Sequence, residues 1–137
     1  MLAGNKKPSK VYTEYWLYAI HPQYEDLEKD INYSFTGKWI IFPKTKEVDK
    51  VWSKIKKATE AGILGFASKV STMAPTRYDP NFKCICIYTK DYRDKEDVLK
   101  VRESLRKLGF KNVLPYKTDE ATRKGIYGTD QEFLYKE

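Results

Sequence analysis

The sequence predicts an α+β domain in which a mostly antiparallel sheet carries two main helices on one face. Two stretches, Val48 to Ala58 and Val98 to Leu108, place apolar residues at the i, i+3, i+4, i+7 spacing of an amphipathic helix. Several short runs rich in Val, Ile, Tyr, Phe and Trp read as strands. Their order, strand, strand, helix, strand, strand, helix, strand, suits an antiparallel sheet with helices gathered on one side. The other sheet face, rimmed by loops, is then free for a ligand.

Taken in order, residues 1–10 read as a flexible basic tail and 11–137 as a single domain without repeat or linker. Val11 to Ile20 is the first strand and includes Trp16. Gln23 to Asp30 has poor apolar periodicity and reads as part of a long excursion rather than a firm helix. Gly37 to Phe42 is a second strand ended by Pro43, after which Thr45 is the expected cap of the first main helix and Gly62 its stop. The opposite helix face carries Lys46, Lys50, Lys54 and Lys57, read as a solvated surface. Ile63 to Thr72 is a third strand, followed by a Pro-flanked loop with Arg77 near its tip. Phe82 to Thr89 is an apolar central strand covered on both faces. Asp94 caps the second main helix, which ends at Gly109. Asn112 to Tyr116 and Phe133 to Tyr135 are short strands flanking a turn into a brief helix, with Thr118 or Asp119 as its cap.

A length of 137 residues is that of one domain, and 41% hydrophobic with 15% aromatic residues is enough apolar surface to oppose the entropy of ordering the chain. A disordered chain is excluded. Lys plus Arg number 26 against 19 Asp plus Glu, a formal charge of +7 that favours anionic partners: nucleotide, RNA or phosphopeptide. Cys84 and Cys86 lie two apart in an apolar run, on one face of a strand, where a mutual disulfide is not expected. Two cysteines and one histidine fall short of a usual four-ligand zinc site, so no metal is expected and the thiols read as reduced, in a cytoplasmic protein. No cofactor is expected, because neither phosphate-loop nor dinucleotide glycine motif occurs. No apolar run suits a signal peptide or approaches the roughly 20 residues of a membrane span.

The stretches Cys84-Ile85-Cys86-Ile87-Tyr88-Thr89, Glu96 to Gly109 and Tyr116 to Thr122 with Lys124-Gly125 resemble the C-terminal half of cap-binding translation initiation factors of the 4E type. Tyr15-Trp16-Leu17-Tyr18 and Val48 to Ile55 resemble elements of its N-terminal half. More closely, Gly37-Lys38-Trp39, Ser68-Lys69-Val70-Ser71-Thr72, Tyr88-Thr89-Lys90-Asp91 and Tyr116-Lys117-Thr118-Asp119 resemble the family of the human basophilic leukemia-expressed protein. That family is classed with the same fold, and some members are named phosphothreonine lyases. The resemblance implies a curved sheet whose concave face holds a ligand. The paired Trp rings and Trp-Glu dipeptide that clamp a methylated guanine in the factor do not carry over, because no Trp here precedes a Glu.

The candidate site follows. Lys69, on a strand face with Ala67 and Ser71, and Arg77 stand where the factor uses basic residues for phosphate. Lys117-Thr118-Asp119, followed by Arg123 and Tyr127, form a second polar cluster that can complete an anion site, Thr118 and Asp119 serving otherwise as the helix cap. Trp39, Tyr88 and Tyr18 are candidate stacking rings, and Ser71 a polar contact. Three functions are open. The first is a binder of a phosphorylated ligand or single-stranded nucleic acid. The second is an eliminating lyase with Lys69 as base, arginines on the phosphate and His21, Tyr127 or Tyr88 as acid. The third is a protein-interaction module using the helical back, for which an exposed apolar Leu99 would be the sign. A serine-histidine-acid triad is not supported by the single histidine.

Overall fold

The computed structural model describes residues 1–137. Six strands form one sheet: β1 (Trp16–Ile20), β2 (Gly37–Ile41), β3 (Ala67–Ser71), β4 (Ile85–Thr89), β5 (Pro115–Thr118) and β6 (Tyr135–Lys136). Their spatial order is β1-β3-β4-β2-β5-β6, and every neighbouring pair is antiparallel. Two long helices, α2 (Val48–Glu60) and α3 (Lys95–Lys107), and two five-residue ones, α1 (Tyr24–Glu28) and α4 (Asp119–Arg123), complete the set. The fold is the α+β architecture expected. No helix is long and apolar enough to cross a membrane.

Strand alternation sorts the sheet residues into two sets. Leu17, Ala19, Trp39, Ile41, Val70, Ile85, Ile87 and Tyr116 point toward the helices and join Val48, Trp52, Ile55, Val98, Val101 and Leu105 in one core. Trp16, Tyr18, Lys38, Lys69, Ser71, Cys84, Cys86, Tyr88 and Lys117 point the other way. The Asp94 side chain accepts from the Asp97 backbone N–H and caps α3. Gly109, at φ 106°, takes the left-handed conformation that ends that helix without a side-chain clash. Thr118 caps α4 by accepting from the Ala121 backbone N–H. Lys50, Lys54 and Lys57 are exposed along α2, and Lys46 is exposed on the turn that precedes it. At Gly65 a methyl group would overlap the Tyr88 carbonyl oxygen, so the entry to β3 runs against β4 as only glycine allows.

Several expectations are corrected. Residues 1–10 are packed: Ala3 is buried, its N–H donates to the Tyr18 carbonyl, and the Tyr18 N–H donates to the Met1 carbonyl. Pro8–Lys10 forms a 3-10 turn, and the Ser9 N–H and hydroxyl both donate to the Asp49 carboxylate of α2. The free backbone edge of β1 orders this segment despite its charge. Thr45 does not cap α2 with its side chain; it opens a 3-10 turn, Thr45–Glu47, and its hydroxyl donates to the Pro80 carbonyl. The first strand loses Val11 to Tyr15, where pairing with β3 ends, and the fifth starts at Pro115, where pairing with β6 begins.

Candidate functional site

Four lysines line an open cavity of about 820 Å³ on the sheet face away from the helices: Lys38, Lys69, Lys83 and Lys117. Three of them are placed by the ladder register, and Lys83 by its N–H, which donates to the Pro43 carbonyl. Lys69 of β3 stands opposite Cys86 of β4, and Lys38 of β2 stands opposite both Tyr88 of β4 and Lys117 of β5. Beside this cavity lies an apolar one of about 660 Å³, lined by aromatic residues including Tyr18, Tyr24, Tyr33 and Phe66. Tyr88 belongs to its wall, and its ring stacks at a tilt on Phe66 with centroids 5.9 Å apart.

The lysines differ in how their charge is answered. Lys38 is buried, with Nζ 2.7 Å from Asp119 Oδ1 and 2.6 Å from Thr122 Oγ1. Asp119 also accepts from the Thr36 hydroxyl at 2.5 Å. Lys117 is buried too; its Nζ donates to the Ile126 carbonyl at 2.8 Å, lies 3.7 Å from Glu132 Oε2 and sits 3.4 Å from the centre of the Tyr127 ring. Burial lowers the Lys117 pKa, with the Glu132 carboxylate working against that effect. Lys69, half-buried, has no carboxylate within ion-pair distance. Its Nζ lies 3.8 Å from the centre of the Trp16 ring and 5.8 Å from that of Tyr88, positions of cation–π attraction. Lys83 likewise has no ion pair, although it is only 8% exposed.

Lys69, Lys117, Ser71 and Tyr127 therefore come together at one cavity, with Tyr88 on the same sheet face. The Ser71 hydroxyl accepts from the Cys84 N–H at 2.8 Å. Burial also raises the Tyr88 phenol above its ordinary pKa. Four candidates are not brought there. Trp39 is fully buried beneath the sheet; its indole N–H donates to the Val98 carbonyl at 3.0 Å and its ring meets Tyr116 edge-on, so it has no surface for stacking on a ligand. Arg77 is exposed on its loop with its guanidinium 6.0 Å from the Tyr78 ring, and it lines neither cavity. Arg123 is exposed on α4, where it donates to the Tyr33 carbonyl instead. His21 lies outside both cavities, its Nδ1 accepting the Gln23 N–H at 3.0 Å. An acid role for it is not supported by this placement.

Trp16, Lys38 and Lys83 belong to the arrangement without having been singled out as site residues. The alternation of Trp16 and Tyr18 against Leu17 and Ala19 carried the signal for the first of these.

Residues 23–123 match the family model described as basophilic leukemia-expressed protein Bles03, which spans well over half of the chain. The chain belongs to the Bles03 family. Among solved structures, this Bles03 family member is similar to a schistosome eIF4E complexed with m7GpppA and 4E-BP, at 14% identity over 95% of this chain and 74% of that one, with a TM-score of 0.65. It is also similar to C. elegans eIF4E-3 in complex with the 4E-binding protein Mextli and a cap analog, at 16% identity over 65% and 53% of the two chains and a TM-score of 0.51. Ascaris suum eIF4E-3 with an m2,2,7G cap matches at 12% identity over 74% and 57%, with the same TM-score of 0.51. At these identities the likeness establishes that this chain has the 4E-like fold.

Proposed function

We propose that the concave sheet face binds a phosphorylated ligand, with Lys69 as the principal phosphate contact and Lys117 beside it. The observation that carries this reading is the contrast among the lysines. Lys38 and Lys117 each have a carboxylate partner, whereas Lys69 reaches the same cavity supported only by the Trp16 and Tyr88 rings. Such an ammonium group is held in place, partly desolvated and electrostatically unanswered, which is the state an incoming phosphate relieves. Lys83 adds a second uncompensated charge to the wall. Tyr127 and Trp16 offer aromatic surface at the rim for a base or other flat group. The bound cap analogs named for the similar initiation factors support a nucleotide as one member of the ligand class.

An eliminating lyase is less well supported. Both His21 and the two candidate arginines stand away from the cavity. The helical back offers little to the interaction-module reading, since Leu99 is half-buried against the core.

A thermal-shift series tests the proposal, using nucleotides, capped and uncapped RNA fragments and phosphothreonine peptides at low and moderate salt, on wild type and Lys69→Ala. Stabilisation by one ligand class that falls with salt and is lost in Lys69→Ala is the expected result. No shift with any of these ligands overturns it. Release of phosphate from the peptide together with an α,β-unsaturated residue in place of the phosphothreonine, seen as loss of one water relative to threonine by mass spectrometry, would instead establish the lyase.

A further inference from the structure

The wall of the basic cavity also holds both cysteines of the chain. Cys84 and Cys86 are free thiols two residues apart, on the same face of the strand, with Sγ atoms 3.8 Å from each other. A tetrahedral ion bound at about 2.3 Å by each of two thiolates sets its sulfur atoms about 3.8 Å apart, the separation already present here. The strand backbone fixes both side chains: Cys86 is paired with Lys69 and Ile40, and the Cys84 carbonyl and N–H are both engaged by Ser71.

We propose that Cys84 and Cys86 form a two-thiolate chelating site for a soft divalent cation of the zinc and cadmium kind, with its remaining coordination positions open to the cavity. Cys84 is half-buried and gives the ion access, while Cys86 is buried behind it. Binding exchanges the two thiol protons for one divalent ion, so the two thiolates and the cation sum to zero charge beside the lysines. No cluster of three or more His, Cys, Asp or Glu side chains surrounds the site. Water or donor atoms of a ligand therefore complete the coordination, which makes the site exchangeable rather than structural. Counting ligands along the sequence gave no reason to expect a metal; the sulfur separation is what a count does not contain. The inference stands on the thiols alone and does not depend on phosphate binding.

Titration of the fully reduced protein with cadmium ion is the test. The expected result is an ultraviolet thiolate-to-cadmium charge-transfer band that saturates at one ion per chain, with release of up to two protons per ion, and that zinc displaces. Cys84→Ser alters the more accessible residue and should keep the fold, as circular dichroism would verify, while abolishing the stoichiometric band; Cys86→Ser should do the same. Absence of the band at one equivalent in folded wild type, or its persistence in folded Cys84→Ser, overturns the proposal.

Discussion

Lys38 and Lys117 stand directly opposite one another across the β2–β5 ladder, on the same sheet face, and both are buried. Like charges so placed repel. The arrangement persists because Asp119 answers one ammonium group and Glu132 the other, each from outside the sheet: α4 supplies Asp119 and the segment before β6 supplies Glu132. The cavity floor is thus a charge lattice whose parts depend on each other.

Removing Asp119 should expose that dependence. Asp119→Ala leaves Lys38 buried beside Lys117 without a counter-charge, at an expected cost of about 3 kcal/mol in urea unfolding. Replacing both partners, Lys38→Met with Asp119→Leu, should recover most of the loss. A double variant no more stable than the single one would contradict this account.

The lowered pKa of Lys117 gives a pH dependence of definite sign. The folded state holds this proton less tightly than the unfolded chain, whose lysine keeps its ordinary value of 10.5. Between the two values the unfolded chain binds more protons, so the contribution of Lys117 to stability rises with pH; below the folded value its penalty is constant. Urea midpoints of wild type and Lys117→Met between about pH 8 and 10 should show this as a wild-type slope more positive than that of the variant.

Two buried indoles should respond differently to the same change. Trp39 donates its N–H to the Val98 carbonyl, whereas the Trp52 N–H is buried without a partner. Trp39→Phe loses packing and a satisfied buried hydrogen bond to the Val98 carbonyl. Trp52→Phe loses similar packing but removes an unsatisfied donor, so it should cost about 1 kcal/mol less in chemical unfolding.

Arg102, fully buried in α3, donates from Nε to the Glu137 carbonyl, from Nη1 to Phe110 and from Nη2 to Asn112. Burial lowers its pKa, yet no carboxylate pairs with it. Arg102→Met should cost about 3 kcal/mol and loosen β6, seen as faster amide exchange at Leu114 and Glu137, whose N–H groups bond each other's carbonyls.

These residues also mark the boundary of what the sequence discloses. The α3 helix was legible because its signals are local: an acidic cap at Asp94, the stripe Val98, Val101 and Leu105, a glycine stop. Lys69 was legible because a lysine between Ser68 and Val70 conflicts with its own strand. Arg102 was not, since its partners are carbonyls from a loop and a distant strand, which no periodicity announces. Trp39 was misplaced because Gly37 to Ile41 is buried on both faces and shows no alternation; only the register decides which side the indole takes. Arg77 and Arg123 look like phosphate ligands by charge and neighbourhood, but loop path and helix face turn them outward.

The N-terminal residues bear on how this sheet can meet other chains. Ala3 and Met1 occupy the outward N–H and carbonyl of Tyr18 in β1, and at the opposite border β6 has only two residues. A strand from another molecule therefore finds little unpaired backbone to extend. Docking on this sheet by strand addition is hindered at the β1 border, where the first residues of the chain already take the Tyr18 backbone.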